Sequence, residues 1–423
     1  MKRRQLPLLW LGAFAFFLSF LLLLGALPVF ARRLGASDGA VGAIMAAFAV
    51  TSLLLRPLAG WGADRYGRRP FMLAGALVFA VASVAYGWAA GAVGLVIVRL
   101  VHGCGMGLYP TAAGAMVADL APPHRRGEIL GVYGAAGTVA LAIGPVTGVA
   151  IVARAGFEVL FWTAGAMAAL SLGLTAAVGE TLAPPRPVPF TFAGTLSRAA
   201  LFPGLLAFCL LVTYGAQVAF LPLHADTQGV NPGLFFLAFA LTTTVVRGPA
   251  GHVSDRLGRA PVAAAGLLLA AAALVVLAFS EGVGGIVTAG AVYGLAYGVA
   301  QPALIAWSVD VVPEGERGRA IGTYHAAVEL GIVAGAAASG LAVAQWGFAA
   351  TFLAAAAVAA AGAGRAGATT NNDGGPRAGP PSPPSLAAPR RSPGAPRDRA
   401  QRSRRPRAAS ARICCMARVS WSE

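Results

Sequence analysis

Residues 56–70 read RPLAGWGADRYGRRP, and residues 247–261 read RGPAGHVSDRLGRAP. One offset, 191 residues, superimposes them without a gap. It pairs Arg56 with Arg247, Gly60 with Gly251, Asp64 with Asp255, and Arg65 with Arg256. It also pairs Gly67 with Gly258, Arg68 with Arg259, and Pro70 with Pro261. The register holds across nearly a hundred positions: Gly103 meets Gly294, Gly107 meets Gly298, and Asp119 meets Asp310. Pro122 then meets Pro313, Arg126 meets Arg317, Gly131 meets Gly322, and Tyr133 meets Tyr324. Shared hydrophobicity aligns any two apolar helices, but it does not align rare charged residues at one register. The chain is an internal duplication.

The segments around these blocks are apolar. Of 423 residues 57% are hydrophobic and 11% are charged, with mean hydropathy +0.71; a soluble protein carries roughly 25% charged residues. Surface facing lipid accounts for the missing charge, and 55 glycines suit close packing of membrane helices. A spanning helix needs ~20 apolar residues. Twelve stretches qualify, near 7–31, 40–60, 71–90, 92–118, 129–153, 157–178, 201–223, 233–250, 261–280, 283–309, 320–344 and 347–364. The first is too long, and lacks the small-residue cleavage site, for a signal peptide.

The expected fold class is therefore an all-α membrane protein of about twelve transmembrane helices, built as two six-helix bundles. Six spans per half leave both halves in the same orientation, so their pseudo-two-fold axis lies along the membrane normal. A cavity is expected between the halves near the midplane. The bundles are assigned to residues 1–179 and 199–364, the last helix being short. Residues 180–198 hold prolines 184, 185, 187 and 189 and form the linker. Residues 365–423, rich in Pro, Arg, Ser and Gly, cannot bury a core and are expected to be disordered. Their composition is what a shifted reading frame or an unselected extension would produce.

The net charge of +16 is unevenly placed. Residues 365–423 carry twelve Arg against Asp373, Asp398 and Glu423, which is nine of the sixteen charges. Such a tail can attract anionic lipid, and no nucleic-acid partner is expected. The other basic residues cluster in short loops that fall on one face if each span crosses once. These include Lys2, Arg3, Arg4, Arg65, Arg68, Arg69, Arg125, Arg126, Arg256, Arg259, Arg317 and Arg319. The positive-inside rule puts that face, with both termini, in the cytoplasm of an inner (plasma) membrane protein. Arg32, Arg33 and Arg154 fall on the other face. The four cysteines and five histidines show no metal-ligand spacing, and there is no phosphate-binding loop with its Lys-Ser/Thr. No cofactor, metal or ATP-driven pump is expected, and no catalytic constellation suggests an enzyme.

Positions that differ between the halves at the common register are candidates for ligand and coupling. Arg99 stands opposite Gly290, His102 opposite Tyr293, Gly134 opposite His325, and Thr138 opposite Glu329. Glu329 lies about nine residues into its span, near mid-bilayer at ~1.5 Å per residue, and His325 is one turn before it on the same face. Charge there costs ~2.5–3.5 kcal/mol on insertion scales and marks function. A carboxyl taken out of water can load and release a proton near neutral pH, and an imidazole beside it can relay or compete for that proton. The alternative for Glu329 is an ion pair that holds helices together; Arg99 has the same two readings. Tyr214 with Gln217, and Tyr293, Tyr297 and Gln301 at every fourth position, form semi-polar stripes suited to a cavity wall. Tyr109 could face them from the other half, and helix–helix packing is the bland reading of each. Glycines 131, 134 and 137 allow close approach of a neighbour, and Pro145 bends its helix.

At these residues the chain resembles the major facilitator superfamily, over roughly residues 5–360. The loop from Gly60 to Pro70 matches that family's signature between helices two and three, and Gly251 to Arg259 is its second-half echo. Arg99, followed by His102-Gly103-Cys104-Gly105-Met106-Gly107, resembles the helix-four motif of proton-linked members. Gly131 and Gly144-Pro145-Val146-Thr147-Gly148 resemble the helix-five antiporter motif, with Ala140 and Val149 where two of its glycines would stand. The chain is most similar to the twelve-helix drug:proton antiporter-like bacterial exporters. The resemblance implies a monomeric secondary active transporter that exports a small organic molecule in exchange for protons by alternating access. A proton-coupled importer of a sugar or other metabolite is the alternative. A non-transporting scaffold is less favoured, having no need of two rocking halves. The resemblance also implies a latch made by Gly60, Asp64, Arg65, Gly67, Arg68 and Asp119 that holds the cytoplasmic side closed in one state. Asp255, Arg259 and Asp310 form its weaker counterpart; the plainer reading is that these arginines only set topology.

Overall fold

The computed structural model describes residues 2–122, 125–181, 196–313 and 316–372; most of the linker and residues 373–423 lie outside them. The first half comprises α1 (Lys2–Leu24), α2 (Leu27–Arg33), α3 (Asp38–Tyr66), α4 (Arg68–Ala85), α5 (Gly91–Leu120) and α6 (Arg126–Ala176). The second comprises α7 (Leu201–Asp226), α8 (Gly233–Leu257), α9 (Arg259–Ala278), α10 (Gly282–Asp310) and α11 (Arg317–Asn372). No strand occurs among the described residues.

Ten of these helices are long and apolar enough to cross a membrane. Two are about twice the necessary length, α6 with 51 residues and α11 with 56. Each is broken by one glycine in the left-handed region, Gly156 at φ 82° and Gly347 at φ 76°. A side chain with Cβ is disfavoured there, so each glycine is a turning point and each long helix crosses twice. Twelve crossings result. The expected first span is interrupted at Gly25-Ala26, where α2 begins with Pro28 in its first turn. The last helix does not stop at 364: its Ala- and Gly-rich run stays helical to Asn372, so it is not short.

The backbone repeats the offset found in the sequence. Gly156 and Gly347 are 191 residues apart, as are Gly67 and Gly258 and also Gly91 and Gly282, and all six have positive φ. Packing repeats it too. In the first half α1 lies on α6, α3 on α5, and α4 on both α5 and α6; in the second α7 lies on α11, α8 on α10, and α9 on both α10 and α11. Gly103 of α5 meets the Phe48 carbonyl of α3, and Gly294 of α10 meets the Phe239 carbonyl of α8. Gly144 and Gly148 press on the backbone of Leu21 and Leu22 in α1, as Gly335 presses on Val212 in α7. In lipid there is no water to drive helices together, and contact this close is what holds them.

The halves meet along two seams, α3 on α11 and α6 on α8, and the 191-residue offset converts one seam into the other. Both are tight on the face remote from the signature loops. Gly42 lies against Ala336 and Gly340, and Gly233 against Pro145 and Val146. Asn231 Nδ2 donates to the Val146 carbonyl at 3.3 Å. On the loop face, Gly131, Gly134, Gly248 and Gly251 have nothing within 4 Å of where a Cβ would stand. Of the expected close approaches in α6, only Gly137 makes one, to Phe17 at 3.5 Å; Gly131 and Gly134 border the open seam instead. The molecule is closed on one face and parted on the other. Arg32 and Arg33, which ran against the charge rule, are held locally, Arg32 by Asp38 and Arg33 over the Phe157 ring at 5.1 Å.

Gly103→Val should force α3 and α5 apart and lower the melting temperature in detergent by several degrees. Gly173→Ala, placed where nothing lies within 4 Å, should raise stability by about 0.5–1 kcal/mol through helix propensity. Equal melting temperatures for the two variants would contradict the packing described.

Candidate functional site

Two polar networks stand at the loop face, one in each half. Arg68, at the start of α4, pairs with Asp64 of α3 and, through Nε, with Asp119 Oδ2 of α5 at 3.3 Å. Arg259 repeats this in the second half, with Asp255 Oδ1 at 2.6 Å and Asp310 Oδ2 at 2.9 Å. The second network is as complete as the first and adds a bond from Arg259 to Ser254 Oγ at 3.1 Å. Each ties three helices of its own half together. Among the described residues neither crosses to the other half, and each bonds helices within its own bundle. Asp64 and Asp255 are more than half exposed, and a single pair of that kind contributes only ~0–1 kcal/mol. Gly60 sits open, with only the Thr111 methyl, 3.9 Å from a Cβ position. Arg65 stacks over Trp61 and Tyr66 and does not join the network.

Glu180 was not among the expected residues. Its carboxylate accepts from the backbone N–H of Arg68 at 3.1 Å and of Arg69 at 2.9 Å, so it seats a negative charge on the N-terminus of α4. Gly67 leaves room for it: a Cβ there would stand 2.6 Å from Glu180 Oε2. The signal in the sequence was a lone acid just after span six, ahead of a proline run.

Deeper in the molecule Glu329 of α11 is buried, and its Oε1 lies 2.5 Å from Nη2 of Arg56 in α3. This ion pair joins the two halves across one seam. Arg56 was noticed only as a member of the repeat, yet an arginine ten residues inside a span is itself a sign of a buried partner. Its counterpart Arg247 in α8 donates to Gln301 Oε1 at 2.8 Å. Tyr297 lies between, within reach of the charges of both Arg247 and Glu329. His325 is half-buried one turn from Glu329, against the Tyr324 ring and facing the charge of Arg56. Beside Arg247 a cavity of about 700 Å³ opens between α6 and α8, lined among others by Gly131, Gly134, Thr138, Val139, Leu241 and Val245.

The expected cavity stripe is divided by the structure. Tyr214, Tyr297 and Gln301 are half-buried near this centre. Tyr293 is fully buried, bonded to Thr213 Oγ1 at 3.0 Å, and Gln217 is packed beside it. Tyr109 does not face the other half: it is buried in the first bundle, stacked on Phe16 at 4.2 Å with its hydroxyl directed at Ser171 and Thr175. Arg99 is also buried. Its guanidinium lies over Phe48 at 4.7 Å and reaches the Ile44 carbonyl at 3.4 Å, remote from Glu329 in partners. His102 is enclosed by aromatic rings, with Nδ1 3.1 Å from the Tyr86 hydroxyl. No group of metal ligands occurs among the described residues.

The family model described as Major Facilitator Superfamily matches residues 9–246 and again 205–416. The chain belongs to the major facilitator superfamily. An MFS-type transporter of Mycobacterium tuberculosis is 31% identical over 219 residues, which is 51% of this chain and 36% of that protein. The quinolone resistance protein NorA of Staphylococcus aureus is 26% identical over 168 residues, 40% of this chain and 43% of NorA. These matches thus span well under half of the curated relatives. Among solved structures, the human organic anion transporter MFSD10 superposes with TM-score 0.66 at 21% identity, covering 86% of this chain and 99% of its own. The nucleoside transporter NupG gives TM-score 0.73 at 14% identity, covering 87% and 99%. At such identities the likeness shows the fold. As a superfamily member the chain is a multi-pass membrane protein.

Within this superfamily chain, the two signature glycines with positive φ are not equivalent, because Gly67 faces Glu180 while Gly258 has only Pro261 Cδ, 3.8 Å from a Cβ position. Both Gly67→Ala and Gly258→Ala carry about 1–3 kcal/mol of backbone strain, since positive φ with extended ψ is nearly exclusive to glycine. Gly67→Ala should cost measurably more, by expelling the carboxylate from the α4 terminus. Melting curves in detergent test the difference; equal losses would remove the role given to Glu180.

Proposed function

We propose that the chain is a proton-coupled exporter of a small organic molecule, working as a monomer in the inner membrane with both termini in the cytoplasm. The observation that carries this reading is the Arg56–Glu329 pair across the α3–α11 seam. The basic loops support the orientation, and with it the parted face opens to the cytoplasm. The similarity to NorA, a quinolone resistance protein, supports efflux.

The mechanism follows from charge. While Glu329 is ionised it is held by Arg56, and the seam is bridged near the midplane. Protonation neutralises the carboxyl and frees the guanidinium, so the seam loses its bridge and the halves can rock about the midplane. His325, one turn away, is placed to pass the proton. Asp64–Arg68–Asp119 and Asp255–Arg259–Asp310 keep each bundle rigid, so that motion is taken up between the halves and not within them. A proton-coupled importer would use the same parts with the opposite sign of exchange.

Proteoliposome transport under an imposed pH gradient tests the reading. Glu329→Gln should still equilibrate substrate but fail to concentrate it against its gradient; a mutant that concentrates substrate as well as wild type would refute the role of Glu329. Arg56→Gln leaves a buried carboxylate without its cation, a loss that costs ~3–5 kcal/mol when the pair is fully buried and less here, since Arg56 is about a third exposed. The exchanged pair Arg56→Glu with Glu329→Arg should recover thermal stability without recovering wild-type coupling. Proton movement opposite to substrate movement supports export, and movement together would select the importer.

A further inference from the structure

The two seams are copies of one another, yet only one has its arginine answered by a carboxylate of the chain. In the α3–α11 seam Arg56 meets Glu329 at 2.5 Å. The offset carries Arg56 to Arg247 and Glu329 back to Thr138. Arg247 and Thr138 line the same cavity of about 700 Å³ between α8 and α6, so the place where the copy would put a carboxylate is empty space beside a guanidinium. Arg247 is exposed to that space and is bonded to the neutral Gln301; among the described residues no ion pair includes it. Glu329 is paired with Arg56, so among the described residues Arg247 is one positive charge in excess within a span.

We propose that the α6–α8 cavity binds an amphipathic organic carboxylate, whose anionic group takes against Arg247 the position that Glu329 takes against Arg56. The remainder of the cavity fits such a molecule. Val139, Leu241 and Val245 provide an apolar wall with Thr138, Thr243 and Thr244 as uncharged polar neighbours, and the volume lies within the ~300–1,000 Å³ of small-molecule sites. A guanidinium is suited to the planar, bidentate geometry of a carboxylate. Gln301 accepts from only one nitrogen of Arg247, Nη2, at 2.8 Å. The assignment deepens the transport reading and rests on it for its purpose, since it names the chemistry of the cargo. Glu329 then has a second role: it bars the equivalent seam to the same ligand.

The test compares pyrenebutyrate with its neutral counterpart pyrenebutanol, titrated at equilibrium onto the full chain in phosphatidylcholine nanodiscs. The acid should bind tighter than the alcohol by tenfold or more, as expected for a hydrogen-bonded charge. Arg247→Gln should abolish that preference, and Arg247→Lys should keep part of it. Thr138→Glu supplies the missing carboxylate from the chain, so it should weaken the acid at least tenfold more than Thr138→Gln, which adds bulk without charge. Equal affinity for acid and alcohol, or a preference that survives Arg247→Gln in a folded protein, overturns the proposal. Repeating the titration in discs containing phosphatidylglycerol separates the sources of the anion. Unchanged affinity assigns the site to the soluble carboxylate, whereas competition lost in Arg247→Gln assigns it to a lipid phosphate and overturns it. Binding needs no gradient, so a chain that binds the acid and does not transport it counts against the exporter reading alone.

Discussion

A carboxylate at the depth of Glu329 can exist in two ways, beside a cation or with a proton on it. Lipid offers no third. Water, which would dilute the choice at a protein surface, is scarce near mid-bilayer, and the desolvation of an unpaired charge is far larger than any packing term that could offset it. The protein meets this constraint with Arg56, and in doing so sets a buried carboxyl into a contact between its two halves. Everything proposed for the mechanism is a consequence of that linkage.

Duplication supplies the bodies. Gene-level repetition at one offset gives two bundles with the same internal packing, the same three left-handed glycines and the same Asp–Arg–Asp clamp. Two equivalent seams then follow by symmetry, and the proposed function is assigned to the places where that symmetry fails. One seam has the Arg–Glu bridge, while the other has an arginine, a threonine and a cavity. Tight glycine contacts confined to one face leave the opposite face free to part. A rigid interior in each half and loose seams between them are what rocking requires, since packed cores do not deform gradually.

Much of this was legible in the residues. The offset disclosed the duplication, the apolar runs disclosed the spans, and the grouping of Asp64, Arg68 and Asp119 followed from the family resemblance. Other features were not legible, for physical reasons. A helical stripe fixes which residues share a face but not which neighbour that face meets, so Tyr109 and Tyr293 pointed into their own bundles and not into the cavity. Arg56 was passed over because repetition suggested scaffold, although the asymmetry of its partner was visible in Glu329 against Thr138. Glu180 acts through backbone amides, which no side-chain motif records. The extent of α11 was underestimated because alanine and glycine, read as the end of an apolar run, still sustain a helix to Asn372.

The central claim is that the two bundles move as rigid bodies about their seams under control of the charge on Glu329. Spin labels on full-length protein with its native cysteines replaced would measure this, one pair at Gly131 and Gly251 on the parted face, a second at Gly39 and Leu341 on the closed face. Distances read by double electron–electron resonance in nanodiscs should change in opposite senses for the two pairs when Glu329 is protonated, by acidification or by Glu329→Gln. If both distances stay fixed across that change, or both move in the same direction, the account is wrong.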